Sequence, residues 1–356
     1  MKIAVAVSGG LDSLASLVML REEGYDILPV HARFFDLHDE LLEKKLGDIC
    51  TGLGLDLHVL HLQEEFAARV IQPFVQDYLD GLTPNPCARC NRRIKFGLLL
   101  DRALALGASA LATGHYAGLE KSHSGPVLRR ALDTDKDQSY FLSLVPSERL
   151  AMAVFPMRRQ YKSGMDGFLQ SRNIAVPARE ESNEVCFIPG DYREFIACRL
   201  EGDLEPAPGP IADSSGRILG RHQGLWRYTP GQRRGLGIAF KYPLYVLRKD
   251  LAANTLVVGA REELGTGEFE AGELNILEDP RNWPRDLLVQ TRYRQKARPA
   301  QAELCGQRMH VRYRGEPGLP VPGQVAAVYS PEGQVLAGGI IQQEQAVKPC
   351  LQTHSS

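Results

Sequence analysis

The chain has 356 residues, too many for one ordinary hydrophobic core, so we expect two or three domains. Its 44% hydrophobic and 24% charged residues are typical of a globular protein, and its formal net charge of −1 argues against a nucleic-acid binder that is basic throughout. The N-terminal apolar run breaks at Gly9 and Gly10, and no later run is long enough to span a bilayer. We therefore expect a cytoplasmic protein without a membrane partner.

The first 120 residues alternate predicted strands with predicted helices. In chain order, the pattern predicts a strand over 2–7, a helix over 14–24, a strand over 27–30, a helix over 39–53, a strand over 57–62, helices over 64–79 and 95–106, and a strand over 110–116. This alternation predicts a doubly wound α/β domain with a parallel sheet.

The pattern changes after about residue 200. A Pro-rich stretch at 205–211 indicates a domain boundary, and short β-type runs follow at 244–249, 255–260, 287–294, 309–315, 324–330 and 335–341. We predict an α/β domain over 1–200, a small central β-rich domain over 201–265 and a C-terminal β-barrel domain over 266–345.

A glycine-rich loop separates the first predicted strand from the first helix. It consists of Ser8, Gly9, Gly10, Leu11, Asp12 and Ser13. Glycine lets the backbone approach phosphate oxygens, and a helix N-terminus offers free N–H groups and a positive dipole end. Asp12 cannot attract phosphate by charge, so we predict that it holds Mg²⁺. The alternative is an ordinary strand-to-helix turn.

The seven cysteines contain one close pair, Cys87 and Cys90. Two prolines before the pair predict an extended turn, and a helix is expected from about Arg92. Arg92, Arg93 and Lys95 are expected to lower the pKa of a nearby thiol and so produce a nucleophile. Half of a zinc site and a thioredoxin-like redox pair are the alternatives for this pair.

A third candidate thiol is Cys186, which lies between two turn-like stretches. The remaining cysteines are expected to be buried and inert; they are Cys50, Cys198, Cys305 and Cys350.

Several segments in order resemble the tRNA-specific 2-thiouridylase family of PP-loop enzymes. They are SGGLDS, TPNPCARCNRRIKFG, ATGHYA, DKDQSYFL, SNEVCF and GRHQGLWRYTPGQRRGLGI over residues 8–238, with TRYRQKA and VPGQVAAVY extending the match to residue 329. The resemblance implies a PP-loop domain, a small central domain and a C-terminal β-barrel that helps to hold tRNA. It also implies an ATP-dependent sulfurtransferase that activates a tRNA uridine, the wobble uridine, at O2 and places sulfur on C2.

The resemblance assigns roles to particular residues. Cys90 is implied to be the nucleophile, and Cys186 to receive a persulfide. ATP binding is implied for Ala6, Val7, Ser8, Gly9, Gly10, Leu11, Asp12, Ser13, Ala32 and Gly114. The target base is placed at Asn85, Pro86 and Cys87, and tRNA contacts at His115, Lys136, Asp137, Gln138, Arg292, Tyr293 and Gln324. Several family members carry Asp at the position of Cys87.

The implied cofactors are ATP and Mg²⁺, and the implied partners are tRNA and a persulfide donor or relay protein. One alternative has Cys87, Cys90 and Cys186 hold a 4Fe–4S cluster whose open iron carries the sulfur. Two others are an amidotransferase-like PP-loop synthetase, which needs no paired cysteines, and a non-catalytic RNA-binding relative. The basic run from Arg292 to Lys296 is predicted to bind RNA phosphate, with a solvated strand as its alternative.

Overall fold

The computed structural model describes residues 1–35, 40–123, 125–177, 185–200 and 206–343. Three separate β structures organise the chain. Their strands fall within residues 2–154, 209–259 and 268–341. The predicted fold class is confirmed, while the exact limits between the domains stay a prediction.

The first structure is a five-stranded parallel sheet with strand order β3-β2-β1-β4-β7. Its strands are β1 (Lys2–Ala6), β2 (Asp26–Arg33), β3 (His58–His61), β4 (Ala110–Ala112) and β7 (Ala153–Val154). The connections leave β1 toward β2 on one side, and β4 pairs with β1 on the other. Ligands bind to such sheets beyond the carboxyl ends of the strands where the order reverses. Here that point lies between β1 and β4.

Helices cover this sheet. They are α1 (Leu11–Glu22), α2 (Glu40–Gly52), α3 (63–79), α4 (86–105), α5 (Ser139–Leu142), α6 (Ser147–Leu150), α7 (Met165–Gln170) and α8 (Tyr192–Ala197). Short 3₁₀ turns occur at Pro156–Arg159, Lys162–Gly164, Leu225–Arg227, Arg261–Glu263 and Pro280–Asn282. In the described part of the chain, no helix is long and apolar enough to cross a membrane.

Helix α4 begins earlier than the sequence suggested. The Asn85 side chain accepts from the Ala88 amide (3.0 Å), and Pro86 is the first helical residue. Proline is well suited to that position because it needs no hydrogen bond there. The pair Cys87 and Cys90 therefore lies inside the first turn and not before the helix, so the predicted start near Arg92 is wrong.

The central sheet has the order β10-β11-β8-β9, and the C-terminal strands close into the barrel β12-β15-β14-β13-β16-β17. The central strands are β8 (Gly209–Asp213), β9 (Ile218–His222), β10 (Tyr245–Asp250) and β11 (Thr255–Gly259). The barrel strands are β12 (Glu268–Ile276), β13 (Leu287–Gln290), β14 (Arg298–Cys305), β15 (Arg308–Tyr313), β16 (Val325–Tyr329) and β17 (Val335–Ile341). A hairpin of β5 (Gly118–Ser122) and β6 (Gly125–Arg129) extends the first domain.

The barrel packs against the first domain through a shared core. Tyr140 and Leu142 of α5 belong to the same buried cluster as Val325 and Tyr329 of β16. The Tyr140 hydroxyl donates to the Val325 carbonyl (3.0 Å). The barrel is therefore held next to the chain around Cys87 and Cys90.

Candidate active site

The Ser13 hydroxyl group fixes the loop between β1 and α1. The Ser13 hydroxyl donates to the Gly10 carbonyl (2.8 Å) and accepts from the Ser8 amide (3.1 Å). Gly9 has φ of +84°, a backbone conformation that favours glycine. The first amides of α1 have no acceptor within the helix and lie at the positive end of its dipole, so the turn is suited to phosphate.

Small residues surround this loop at the carboxyl edge of the sheet. Ala6 ends β1 beside Val30, and Ala32 lies on β2 opposite Leu60. His31 Nδ1 donates to the Val7 carbonyl (2.8 Å), which fixes the chain as it leaves β1. The sites predicted for ATP on Ala6, Val7 and Ala32 thus lie together at the sheet edge.

Gly114 follows β4 and packs against the start of α1. A Cβ added at Gly114 would lie 2.8 Å from the carbonyl carbon of Asp12 and 2.9 Å from the amide nitrogen of Ser13. Both neighbours are backbone atoms, so a larger residue can be accommodated only if the loop shifts. Gly114 thus supports the phosphate loop by leaving it room.

We expect Gly114→Ala to weaken ATP binding about tenfold, because overpacking against a fixed backbone costs about 1–3 kcal/mol. Isothermal titration calorimetry with ATP measures this. Gly167→Ala is the matched control, since a Cβ there meets no atom within 4 Å. Equal ATP affinity in the two variants would show that the loop tolerates the methyl group.

The Asp12 carboxylate has two partners that the sequence did not reveal. The Tyr116 hydroxyl donates to Oδ1 (2.9 Å), and Lys162 Nζ lies 3.4 Å from Oδ2. Tyr116 lies in the ATGHYA segment but had no predicted role, and Lys162 is 150 residues from Asp12 in the chain. Lys162 therefore places a positive charge beside the loop of residues 8–13, which contains no basic residue of its own.

A cavity of about 710 Å³ lies beside this carboxylate. Leu11 and Lys162 line it together with Lys136, which the family resemblance placed at a tRNA contact. Lys136 therefore lies on the same cavity as the ATP loop.

Burial governs the candidate thiols. It raises the pKa of Cys90 to about 12 and that of Cys87 to about 11, and it also raises the pKa of Cys186. Lys95 opposes the rise at all three thiols. Cys90 is buried and Cys87 is half-buried, whereas Cys186 is exposed to solvent even though the protein atoms around its sulfur partly desolvate it. Cys186 adds to the rise in pKa at both Cys87 and Cys90, and Lys95 acts on all three thiols, so the three cysteines lie near one another.

The expectation that the basic flank lowers the thiol pKa is therefore wrong in its net direction. Of the three cations, only Lys95 acts on the thiols. Arg93 is exposed, and Arg92 lies 3.9 Å from Glu273 of the barrel. Desolvation of a buried thiolate outweighs a single ammonium group.

Lys95 also contacts a buried histidine. Lys95 Nζ lies 3.4 Å from His115 Nε2, and His115 Nδ1 lies 2.7 Å from the Thr113 hydroxyl. Burial, with Lys95 adding to it, lowers the pKa of His115 well below its usual value. His115 is therefore neutral, and Nε2 accepts from the ammonium group.

Asp137 and Gln138, which were predicted to contact tRNA, are both engaged within the protein. Asp137 is buried and accepts from the Ala131 amide (2.9 Å) and the Ser139 hydroxyl (2.7 Å), and Arg130 Nη1 lies 3.1 Å away. The Gln138 side chain accepts from the amide of Tyr116 (3.1 Å). A direct contact of Asp137 with RNA would require this network to open.

The Gln324 side chain connects the barrel to the segment that precedes α4. Its side-chain amide donates to the carbonyls of Thr83 (2.9 Å) and Pro84 (3.0 Å), just before Asn85. The adjacent Gly323 is packed so closely that an added Cβ would lie 3.0 Å from the backbone of Thr83. The barrel thereby fixes the segment that leads into α4.

The basic run after β13 is a turn and not the strand predicted over 287–294. Arg294 has φ of +63°, and the Gln295 amide donates to the Arg292 carbonyl (3.2 Å), which closes the turn. Arg292 and Arg294 are exposed, whereas Tyr293 packs on Phe141 with ring centroids 4.4 Å apart. Burial raises the pKa of Tyr293, and Cys87 is near enough to add to that rise. This turn therefore borders the thiol site.

We expect Arg292→Ala combined with Arg294→Ala to weaken tRNA binding and to reduce its salt dependence. Removing one phosphate contact should shallow the slope of log affinity against log salt by roughly 0.7–0.9. Filter binding over a salt series measures both quantities. Arg308→Ala is the control, because that barrel arginine already pairs with Glu270 (2.6 Å). An unchanged slope in the double variant would favour a merely solvated turn.

The described residues contain no group of three Cys, His, Asp or Glu side chains placed to hold a metal ion. Cys50 is buried as expected.

Two other cysteines differ from the buried, inert thiols that we expected. Cys198 is exposed and Cys305 is disulfide-bonded. Cys350 and the segment 182–184 before Val185 lie outside the described residues.

Family models match two parts of the chain. The model described as tRNA methyl transferase HUP domain matches residues 1–190, and the tRNA methyl transferase PRC-barrel domain matches residues 198–260. Among solved structures, the U34-tRNA thiolase NcsA of Methanococcus maripaludis with its 4Fe–4S cluster aligns over 56% of this chain and 65% of its own at 16% identity. Its TM-score of 0.35 is too low to support an argument.

Curated relatives match nearly the whole chain. The tRNA-specific 2-thiouridylase MnmA of Nitratidesulfovibrio vulgaris (strain DSM 19637 / Miyazaki F) is 49% identical, covering 96% of this chain and 99% of the relative. The protein of the same name from Lawsonia intracellularis is 42% identical with the same coverage. The one from Acidithiobacillus ferrooxidans (strain ATCC 53993 / BNL-5-31) is 38% identical, covering 96% and 98%. The chain therefore belongs to the tRNA-specific 2-thiouridylase family.

Proposed function

We propose that this protein is a tRNA-uridine 2-sulfurtransferase that uses ATP to activate the O2 of a tRNA uridine, the wobble uridine, and then replaces that oxygen with sulfur. The proposal rests on the presence, in one domain, of a site suited to ATP phosphates and a group of thiols suited to sulfur transfer. A glycine-rich turn suited to phosphate lies at the start of α1, and Cys87 and Cys90 lie at the start of α4 within reach of Cys186. Curated relatives over nearly the full length carry the thiouridylase name.

In the first step, the uridine O2 attacks the α-phosphate of ATP and pyrophosphate leaves. The Ser8–Ser13 turn and the N-terminus of α1 hold the phosphates, with Lys162 nearby. The target base must leave its stack to reach this edge. Asn85, Pro86 and Cys87 are proposed to meet it, and Arg292 and Tyr293 to hold the neighbouring RNA.

Mg²⁺ fits this site as a companion of ATP. One carboxylate together with substrate phosphates is a common magnesium site, and Asp12 is the acid of the loop. When bound, the ion would neutralise charge on the leaving pyrophosphate. A 4Fe–4S cluster held by Cys87, Cys90 and Cys186 is the alternative use of the same thiols, and no step is assigned to it.

In the second step, sulfur replaces the activated oxygen. Cys186 is exposed and suited to receive a persulfide from a donor protein, while Cys90 is buried. Cys90 attacks the inner sulfur of that persulfide, the Cys90–Cys186 disulfide forms, and hydrosulfide leaves. Hydrosulfide adds at C2, and AMP departs with the original O2. A dithiol reductant then restores both thiols. In an alternative to this step, the terminal sulfur of the Cys186 persulfide attacks C2 of the uridine directly.

Sulfur transfer explains the site better than the methyl transfer in the family model's description. Methylation of uridine requires neither ATP cleavage nor a pair of thiols, whereas this fold holds both a phosphate-binding turn before α1 and a thiol pair in the first turn of α4. An amidotransferase-like synthetase would likewise leave the thiols unexplained.

Exchange of labelled pyrophosphate into ATP, measured with and without unmodified tRNA, tests the proposal together with nucleoside mass spectrometry of the tRNA product. We expect exchange that depends on tRNA and a 2-thiouridine product when sulfide or a persulfide donor is added. Exchange without tRNA would favour a small-molecule synthetase. Tight tRNA binding without any exchange would favour a non-catalytic RNA-binding protein.

A further inference from the structure

We infer that Lys95 is the positioning residue for the thiol chemistry, its ammonium group directed by a π-helical segment toward the sulfur atoms of Cys90 and Cys186. The inference rests on the proposed function for its purpose, but its evidence is the geometry of α4. Neither Arg92 nor Arg93 of the same helix shares this role.

The shape of α4 brings Lys95 over Cys90. Residues Asn91–Leu99 are π-helical, and Cys90 immediately precedes them. In an α-helix, side chains five positions apart diverge by about 140° around the axis. A π-helix bonds residues five apart and so places them on nearly the same side. The wider turn thereby aligns the side chains at positions 90 and 95.

The charge of Lys95 is not cancelled by an acid. In the described ranges no carboxylate forms an ion pair with Lys95, and its neighbour His115 is neutral. His115 is held in one tautomer, since Nε2 accepts from Lys95 and Nδ1 donates to Thr113. The ammonium group is therefore oriented by a neutral partner and keeps its full charge for the thiols.

This charge is suited to the sulfur step. When the Cys90 thiolate attacks the inner sulfur of a protonated persulfide on Cys186, an S–S bond forms between the two cysteines and the bond to the outer sulfur breaks. The electron pair leaves with the outer sulfur, which keeps its own proton and departs as hydrosulfide. Negative charge is present on sulfur throughout, and burial disfavours it. The positive charge of Lys95 offsets part of that cost, because it lowers the pKa of all three thiols and so favours their charged form.

Alkylation of the purified protein with iodoacetamide over a pH series tests the inference without tRNA or ATP. Peptide mapping follows the rates at Cys90 and Cys186 separately. We expect Lys95→Met to slow alkylation about tenfold at a given pH and to move the pH–rate curve upward, because a nearby cation favours the thiolate. Arg93→Met is the matched control, removing an exposed cation two residues away. Lys95→Arg, which keeps the charge, is expected to retain a curve close to that of the unaltered protein.

Equal pH–rate curves for Lys95→Met and Arg93→Met would overturn the inference. The inference would also be overturned if Lys95→Arg lost as much thiol reactivity as Lys95→Met. In that case the packing of the side chain, and not its charge, would explain the loss. If Lys95→Met does not fold, Lys95→Gln takes its place in the same comparison with Arg93→Met and Lys95→Arg. Since alkylation needs no substrate, a protein that passes this test but never thiolates tRNA would contradict the proposed function and leave the inference intact.

Discussion

Replacing Asp12 by Ala is expected to reduce tRNA-dependent pyrophosphate exchange about a hundredfold or more while the protein stays folded. The magnitude is that of losing one preorganised electrostatic group at a reacting phosphate. The fold should survive because the carboxylate is about a quarter exposed, at 27%, and so contributes little to the packing of the core. Exchange assays and thermal denaturation measure the two effects.

Two controls sharpen this result. Asp12→Asn keeps an acceptor for Tyr116 but removes the charge, so it should be nearly as inactive as Asp12→Ala. Tyr116→Phe removes that hydrogen bond and keeps the carboxylate, so it should retain most of the exchange activity. A folded Asp12→Ala protein with normal exchange would refute the role of the carboxylate in phosphate chemistry.

Cys90→Ser and Cys186→Ser are each expected to abolish sulfur transfer and to leave pyrophosphate exchange unchanged. The reason is that adenylation precedes the sulfur step and needs neither thiol, whereas a hydroxyl cannot carry or resolve a persulfide. Cys87→Ser is expected to retain measurable sulfur transfer, since we propose that Cys87 lies beside the target base and takes no part in the thiol–disulfide exchange. Thionucleoside formation and exchange are measured on the same preparations.

Cys198→Ser is the control for these variants, because Cys198 is an exposed thiol directly after α8. It should be fully active. Anaerobic purification of a brown protein with about four irons per chain, together with an inactive Cys87→Ser variant, would favour the cluster mechanism instead.

The sequence predicted the parts of this site that depend on local pattern. An apolar strand followed by glycines and a mostly apolar helical run specifies the β1–loop–α1 unit, and the family motifs predicted that Cys90 and Cys186 act in one reaction. The start of α4 was missed because Pro86 was interpreted as a break, although proline is favourable at the first helical position once Asn85 caps the helix.

Other features depend on contacts between distant segments. Lys162 reaches Asp12 from 150 residues away, and Gln324 holds Thr83 from 241 residues away. The basic flank of the CxxC pair predicted a lowered thiol pKa, but burial decides the direction, and burial follows from how α4 packs against its neighbours. No pattern within a short window could have supplied these facts.

The fate of the uridine oxygen tests the central claim most directly. Unmodified tRNA carrying heavy oxygen at the O2 of the target uridine is incubated with the protein, ATP and a sulfur donor, and the AMP and nucleosides are examined by mass spectrometry. The proposed mechanism predicts that the label leaves the base and appears in the phosphate group of AMP, one atom for each 2-thiouridine formed. Thiolated nucleoside accompanied by unlabelled AMP, or label retained in the uridine while AMP accumulates, would contradict it.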